Sequence, residues 1–377
     1  MKILGIESSC DECAAAVVED GRRILSSVVA TQIPFHAVYN GVVPEIASRK
    51  HTEWIYGVVK EALDKAGIGP DEVEGLAATA HPGLLGSLLV GLSFAKAFAW
   101  ARSLPFIAVN HMLAHLYASR LLGDNPEPAS SVPANRAEVP YPFLGLLVSG
   151  GHSIICRVDD FDDITVLGTT IDDAVGEAFD KVSKYYGFGY PGGAVIDKLA
   201  QSGNPDAFRF PLPKLDKGGN RYALSYSGLK TAVINQLEQF RCKLAAPACL
   251  EFGNSAVTEL PNSTAGAIEI ARREGADIAA SFQKTAVEIL LRSLFRAAED
   301  TGLKTIVAGG GVAANSYLRA RLAEQRELRC IFPPPDLCGD NGAMIAGIGY
   351  RYLSRGDRSP LSVTASARVG GFRRRYP

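Results

Sequence analysis

The sequence has no apolar run long enough to cross a bilayer, which takes about 20 residues. Its most apolar stretch, Leu84 to Trp100, is broken by Gly86, Ser87, Gly91, Ser93 and Lys96 and reads as a core helix. It also has no excess of charge. Against 39 Lys and Arg stand 40 Asp and Glu, a formal net charge of −1, which argues against non-specific nucleic-acid binding over the whole surface. Any such partner must meet local basic patches, for example the tail with Arg368, Arg373, Arg374 and Arg375, and tails of this kind are often just disordered. Cysteine is sparse: the 7 residues are an odd number without a dense framework, which suits reduced thiols rather than a disulfide scaffold. Cys10 and Cys13 are formally a C-x-x-C, but a second pair for zinc is missing, and the segment continues as a strand where a redox pair would open a helix. No signal or transit pattern precedes the first strand, so a cytoplasmic location without a membrane partner is the expectation.

What is present is a chain of two similar halves, long enough for two domains. Lys2 to Ser8, Cys13 to Glu19 and Ile24 to Ala30 read as three strands of a meander turning at Asp20-Gly21. The pattern returns with Phe143 to Gly151, His152 to Val158 and Ile164 to Gly168, around an acidic turn at Asp159 to Asp163. Leu4-Gly5-Ile6 and Leu144-Gly145-Leu146 look like one element used twice. Two meanders, each followed by alternating helix and strand, fit an α/β protein of the duplicated actin-like ATPase (ASKHA) fold, with a nucleotide in the cleft between the halves. The expected divisions are a first half over 1–124, completed by a C-terminal helix near 340–355, a Pro-rich linker over 125–142, and a second half over 143–339. An irregular insertion interrupts the second half at 241–275, and a basic tail covers 356–377.

His111 and His115 stand four apart at the start of a helical pattern that follows the apolar strand Phe106 to Val109. Two histidines at that spacing lie one turn above each other and can converge on one ion, or be ordinary polar residues of a partly buried face. The candidate third ligand is Asp340, where a Pro- and Gly-rich turn gives way to a helix; Asp is also a favoured helix N-cap. A His, His, carboxylate set leaves coordination positions open, as a catalytic site requires. The zinc-protease motif has a Glu after its first His, and here that position is Met112. A peptidase of that class would lack its base, so a metal here would orient or polarise a substrate oxygen.

Three further segments carry chemistry. Ser149-Gly150-Gly151-His152 turns sharply between two strands, and its glycines let N–H groups approach a phosphate or acyl oxygen, although hairpin glycines are routine. The amphipathic helix from Ile171 to Lys184 puts Asp173, Glu177, Asp180 and Lys184 on one face, and the turn Tyr190 to Gly193 opens the next helix with Asp197. Asp180 or Asp197 can accept hydroxyl hydrogen bonds. A buried strand runs into Gly309-Gly310-Gly311 and then a helix. It lacks the Lys and hydroxyl of a P-loop, so it suits a nucleoside better than a transferred phosphoryl group, with Asn315 placed to read a ring edge or hydroxyl.

The motifs together resemble the universal tRNA threonylcarbamoyltransferase family over nearly the whole chain. The resemblance rests on Gly5 to Glu12, Gly41 to Arg49, His111 to His115, Leu147 to Gly151, Asp173 to Lys181, Tyr190 to Gly193, Tyr226 to Thr231 and Asp340 to Ala343. It implies the actin-like fold and transfer of a threonylcarbamoyl group from threonylcarbamoyl-AMP to N6 of the adenosine just 3′ of the anticodon, in tRNAs reading codons that start with A. By position, it implies that His111, His115 and Asp340 hold one divalent iron or zinc ion, with Fe2+ favoured. It also implies that Leu147, Val148, Ser149, Gly150, Gly151, Asp180, Gly193, Asp197 and Asn315 contact the adenylate. A degenerate paralogue of the same fold and a small ATPase are the implied partners. Asp11 and Glu12 are candidate general bases, or simply turn residues. Cys13, Asn40, His81 and Gly339 depart from the family pattern, and Gly339 is expected to loosen the loop that aims Asp340. A sugar or acid kinase of the same superfamily is the alternative function, and a non-catalytic scaffold paralogue is a third reading.

Overall fold

The computed structural model describes residues 1–39, 41–122, 139–215, 221–237, 264–368 and 373–374, with 264–273 and 373–374 as backbone only. Asn40, most of the expected linker, most of the expected insertion and Arg375 lie outside the described residues.

Two sheets share one topology. The first holds β1 (Lys2–Glu7), β2 (Glu12–Glu19), β3 (Arg23–Thr31), β4 (Gly75–His81) and β5 (Phe106–Asn110), in the spatial order β3-β2-β1-β4-β5. The second holds β6 (Phe143–Val148), β7 (Ser153–Asp160), β8 (Asp163–Thr169), β9 (Thr305–Gly309) and β10 (Arg329–Ile331), in the order β8-β7-β6-β9-β10, with the short β11 (Arg373–Arg374) outside β8. In each, the first three strands are an antiparallel meander and the last two run parallel to the first. The expected duplication is therefore present strand for strand. β1 and β2 are buried on both faces, which is why they read as continuous apolar runs, whereas β3 alternates buried with exposed residues.

The helices are α1 (Ile33–Ala37), α2 (Pro44–Ala66), α3 (Leu85–Arg102), α4 (His111–Tyr117), α5 (Val175–Tyr186), α6 (Gly192–Ala200), α7 (227–237), α8 (Thr264–Thr301), α9 (Ser316–Ala323) and α10 (Gly342–Arg355). α2 starts on Pro44, whose fixed φ suits a first turn, and stops at Gly67 in the left-handed region (φ 67°). α2 and α3 cover one face of the first sheet: Ile55, Val58, Val59, Leu92 and Ala95 pack on Leu4, Ile6, Cys13, Ala15 and Val17.

The helices after β5 and β10 change sides. α4 follows the first sheet but packs on β6 and β9 of the second, and α10 follows the second but packs on β1, β2 and β4 of the first. The approach of α10 to β1 is close. A Cβ on Gly5 would lie 2.3 Å from the Gly342 carbonyl oxygen and 2.4 Å from the Ala346 nitrogen. Met344, Ile345 and Ile348 are fully or nearly fully buried on α10, each contributing up to roughly 1.5–3 kcal/mol. This exchange brings the start of α4 and the turn before α10 together.

The tail is docked as far as it is described. Ser359 N–H donates to the Phe106 carbonyl (2.8 Å), Ala108 N–H donates to Ser359 Oγ (2.9 Å), and Ser366 N–H donates to the Ala80 carbonyl (2.9 Å). Ser359 thus pairs with the open edge of β5, and Ser366 reaches the end of β4, instead of hanging free. Among the described residues no helix is long and apolar enough to cross a membrane.

Candidate metal and nucleotide site

β5 runs directly into α4, which is capped by Asn110: its side chain accepts from the Met112 N–H at 2.9 Å. Both His111 and His115 are buried, and their Nε2 atoms lie 3.1 Å apart. Asp340 Oδ1 is 3.4 Å from the first and 3.1 Å from the second. An ion about 2.0–2.2 Å from N and O ligands spaces those ligands roughly 2.9–3.5 Å apart. The three atoms already stand at such spacings, so the residues fit a cation.

Asp340 does not serve as the helix cap. Asn341 does: its Oδ1 accepts from the Met344 N–H (2.9 Å), while its Nδ2 donates to the carbonyls of Leu337 (3.3 Å) and Gly339 (2.9 Å). The loop expected to be loosened at Gly339 is therefore held at that carbonyl. Arg319 Nη2 adds a bond to the Pro333 carbonyl (2.8 Å). Asp340 is left free to face the histidines.

Behind His111 lies Glu7, fully buried at the end of β1. Its carboxylate accepts from Ser9 N–H (2.5 Å), Thr79 Oγ1 (2.5 Å) and His111 Nδ1 (2.9 Å), which aims His111 Nε2 at the other two ligands. Burial works to lower the His111 pKa, but the Asp340 and Glu7 carboxylates outweigh it and bring the group to about 9. His115, buried beside His111, is lowered. Burial would raise Asp340, yet His111, His115 and His152 hold it well below the usual carboxylate range. His152 is pushed down to about 4 by burial and then by the two histidines, and so is neutral at pH 7.

The residues expected to contact a nucleotide fall at the end of β6 and on the turn after it, on α5 and α6, and before α9. Leu147 and Val148 bury their side chains in the core, so only their backbone is available to a ligand. Ser149 N–H donates to the His152 carbonyl (2.8 Å), closing the turn, while Gly150 and Gly151 have open space where a Cβ would be. Gly176, in the first turn of α5, lies against Ser149 and Gly150, so the positive end of that helix backs the turn. Of the three glycines at the end of β9, Gly309 to Gly311, two serve packing. A Cβ on Gly309 would sit 2.5 Å from the His115 carbonyl oxygen, and one on Gly310 (φ 95°) would sit 2.4 Å from that of Val148. Gly311 alone is open.

Asp180 accepts from the Gly192 N–H at 2.7 Å and also from that of Gly193, but burial still raises its pKa. Asp197 accepts from Gln283 Nε2 (2.7 Å), Asn315 Nδ2 (3.1 Å) and Ser316 Oγ (2.8 Å). Asn315 also caps α9, through Leu318 N–H (2.9 Å). Asp197, Ala200, Gln283, Ser316, Tyr317 and Ala320 line a cavity of about 410 Å³, a size suited to a nucleoside. Glu12 is pushed up to about 10 by burial, Asp340 and Asp11. Across from it, Tyr190 is raised by burial, Asp11 and Asp180, so loops from the two halves face each other over the cleft.

Residues 23–347 match the family model described as tRNA N6-adenosine threonylcarbamoyltransferase. The chain belongs to that family. A threonylcarbamoyltransferase of Treponema denticola is 63% identical over 372 residues, covering 99% of this chain and 98% of the relative. One of Treponema pallidum is 52% identical over 375 residues, covering 100% and 95%. Among solved structures, full-length HypF in its phosphate- and nucleotide-bound form aligns with TM-score 0.53 at 14% identity, over 97% of this chain and 47% of that one. Component A of the Acidaminococcus fermentans 2-hydroxyglutaryl-CoA dehydratase aligns with TM-score 0.50 at 13% identity, over 94% and 99%. These distant likenesses support the actin-like fold alone. Membership of a threonylcarbamoyltransferase family does not favour the kinase alternative, and the chain keeps all three candidate ligands that a scaffold paralogue would be expected to lose.

Reading the sequence left out Glu7 and His152 as members of the site. Glu7 offers a signal in retrospect, a carboxylate ending a strand that is otherwise apolar. His152 was visible as the end of the glycine turn and the start of a strand, but not as a neighbour of the metal ligands. Gln283 sits mid-helix in α8, and nothing local marks it.

Proposed function

We propose that this protein transfers the threonylcarbamoyl group from threonylcarbamoyl-AMP to N6 of the adenosine 3′-adjacent to the anticodon of tRNAs reading A-starting codons, in the cytoplasm. His111, His115 and Asp340 would hold one divalent ion, iron or zinc, with iron(II) favoured for a site of two imidazoles and one carboxylate with open positions. The observation that carries the reading is the meeting of those three ligand atoms, from α4 and the turn before α10, near His152 at the end of the glycine turn. When bound, such an ion polarises an oxygen on which charge develops.

The remaining roles belong to the chain. The N–H groups of Gly150 and Gly151 and the start of α5 receive the adenylate phosphate. Asp180, Gly193, Asp197 and Asn315 border the nucleoside. Glu12, which burial favours in its protonated form, donates a hydrogen bond to a carbonyl or phosphate oxygen. Asp11 is the carboxylate left to accept the N6 proton as the N6–carbon bond forms and the carbon–oxygen bond to AMP breaks.

Two protein partners, a degenerate paralogue of the same fold and a small ATPase, complete the proposal. The outer faces of α2 and α3 expose Tyr56 (69%), Leu85 (50%) and Leu89 (47%), an apolar surface suited to the paralogue. The test is nucleoside mass spectrometry of transcribed tRNA incubated with protein, metal, threonylcarbamoyl-AMP and partners. Wild type should yield the modified adenosine and His111→Ala should not; equal product from both would refute the role of the cluster.

A further inference from the structure

Between β3 and α2 the chain makes an excursion that costs buried polar groups and presents apolar ones to solvent. Gln32, His36 and His51 are fully buried beneath it. Gln32 N–H donates to the Asp11 carbonyl (3.0 Å), His51 Nε2 lies 2.9 Å from the Cys10 carbonyl oxygen, and Val43 N–H donates to His36 Nδ1 (3.3 Å). The first of these bonds pegs the residue before α1, and the second pegs α2, to the loop of Cys10 and Asp11 before β2; the third ties α1 to the start of α2. On top, Phe35 is 43%, Val38 79% and Tyr39 56% exposed. Phe35 leans on Trp54 with ring centroids 5.8 Å apart, and Lys50 Nζ stands 4.8 Å from the Phe35 centroid. Packing does not explain an exposed Phe35 ring propped on Trp54, with Tyr39 exposed four residues on, beside the loop of Asp11.

We infer that Phe35 and Tyr39 form a stacking platform for an unpaired base of the tRNA anticodon loop, next to the adenosine being modified. The inference rests on the proposed reaction. N6 becomes reachable only when its base leaves the loop's stack, so a neighbouring base loses a partner, and an exposed ring replaces it. The platform is not a phosphate clamp: Lys50 is paired with Glu53 (2.7 Å) and Arg49 with Glu45 (2.7 Å). Its contribution should therefore be insensitive to salt, unlike phosphate contacts. The residues offered above to a protein partner, Tyr56, Leu85 and Leu89, are not those that hold Phe35.

The test uses full-length protein with metal, threonylcarbamoyl-AMP and partners. Phe35→Ala and Tyr39→Ala should each raise the KM for tRNA roughly tenfold, by the same factor at low and high salt, with kcat nearly unchanged and with Phe35→Trp restoring it. An anticodon stem-loop carrying 2-aminopurine beside the target adenosine should be quenched by wild type and less by the variants. Thermal melts of the variants check that they fold. If wild type modifies tRNA and the variants match it in KM and quenching, the platform is wrong. Loss of partner co-elution in the variants would also overturn it, making this a protein interface. If wild type modifies no tRNA, the proposed reaction itself fails.

Discussion

His111 Nδ1 donates to Glu7 Oε2 across 2.9 Å, in a part of the molecule where Glu7 has no exposure at all. Every group facing that carboxylate is a donor, so it has no alternative use. It fixes the ring orientation and leaves Nε2 as the free ligand atom.

Glu7→Gln should accordingly weaken metal binding by about 10–100-fold. An amide offers one acceptor oxygen where three donors converge, and its NH2 must face one of them. Chelator-competition titration measures the affinity directly, and an unchanged value would show that Glu7 does not orient His111.

The glycines after β9 should separate by role. Gly310→Ala must put a side chain against the Val148 carbonyl at a positive φ and should cost at least about 2–3 kcal/mol. Gly311→Ala meets nothing within 4 Å and should melt within about 0.5 kcal/mol of wild type. Urea titrations of both variants check this; equal losses would contradict the packing account.

How much of this was legible beforehand depends on whether the signal is local. The duplicated meanders were readable because strand period and turn residues are local, and the second repeats the first. His111 and His115 were readable because four-residue spacing sets a helix face. Asp340 was legible only as a candidate third ligand at a turn that opens a helix, a choice the resemblance supported: the contact itself depends on α4 and α10 each crossing to the other sheet, which no local pattern encodes. Asp340 also looked like a helix cap, and only the geometry gives that task to Asn341. The glycine run was read as a ligand cradle, but two of its three members are required by the backbones of His115 and Val148.

His152 makes a pH-dependent contribution. Burial, then His111 and His115, lower it to about 4, against about 6.5 in an unfolded chain. Between those values the unfolded state binds a proton that the folded state does not. The stability is therefore present above pH 6.5 and lost as pH falls towards 4. Metal-free His152→Asn should lose less stability than metal-free wild type on going from pH 7.5 to 5, by on the order of 1–2 kcal/mol. Parallel acid-limb curves for the two would contradict the assignment.

An anomalous-difference map, recorded at the iron or zinc edge on crystals loaded with that ion, tests the central claim most directly. The account predicts one strong peak about 2.0–2.2 Å from His111 Nε2, His115 Nε2 and Asp340 Oδ1 together. A map with no peak there, or with the ion elsewhere, would contradict it.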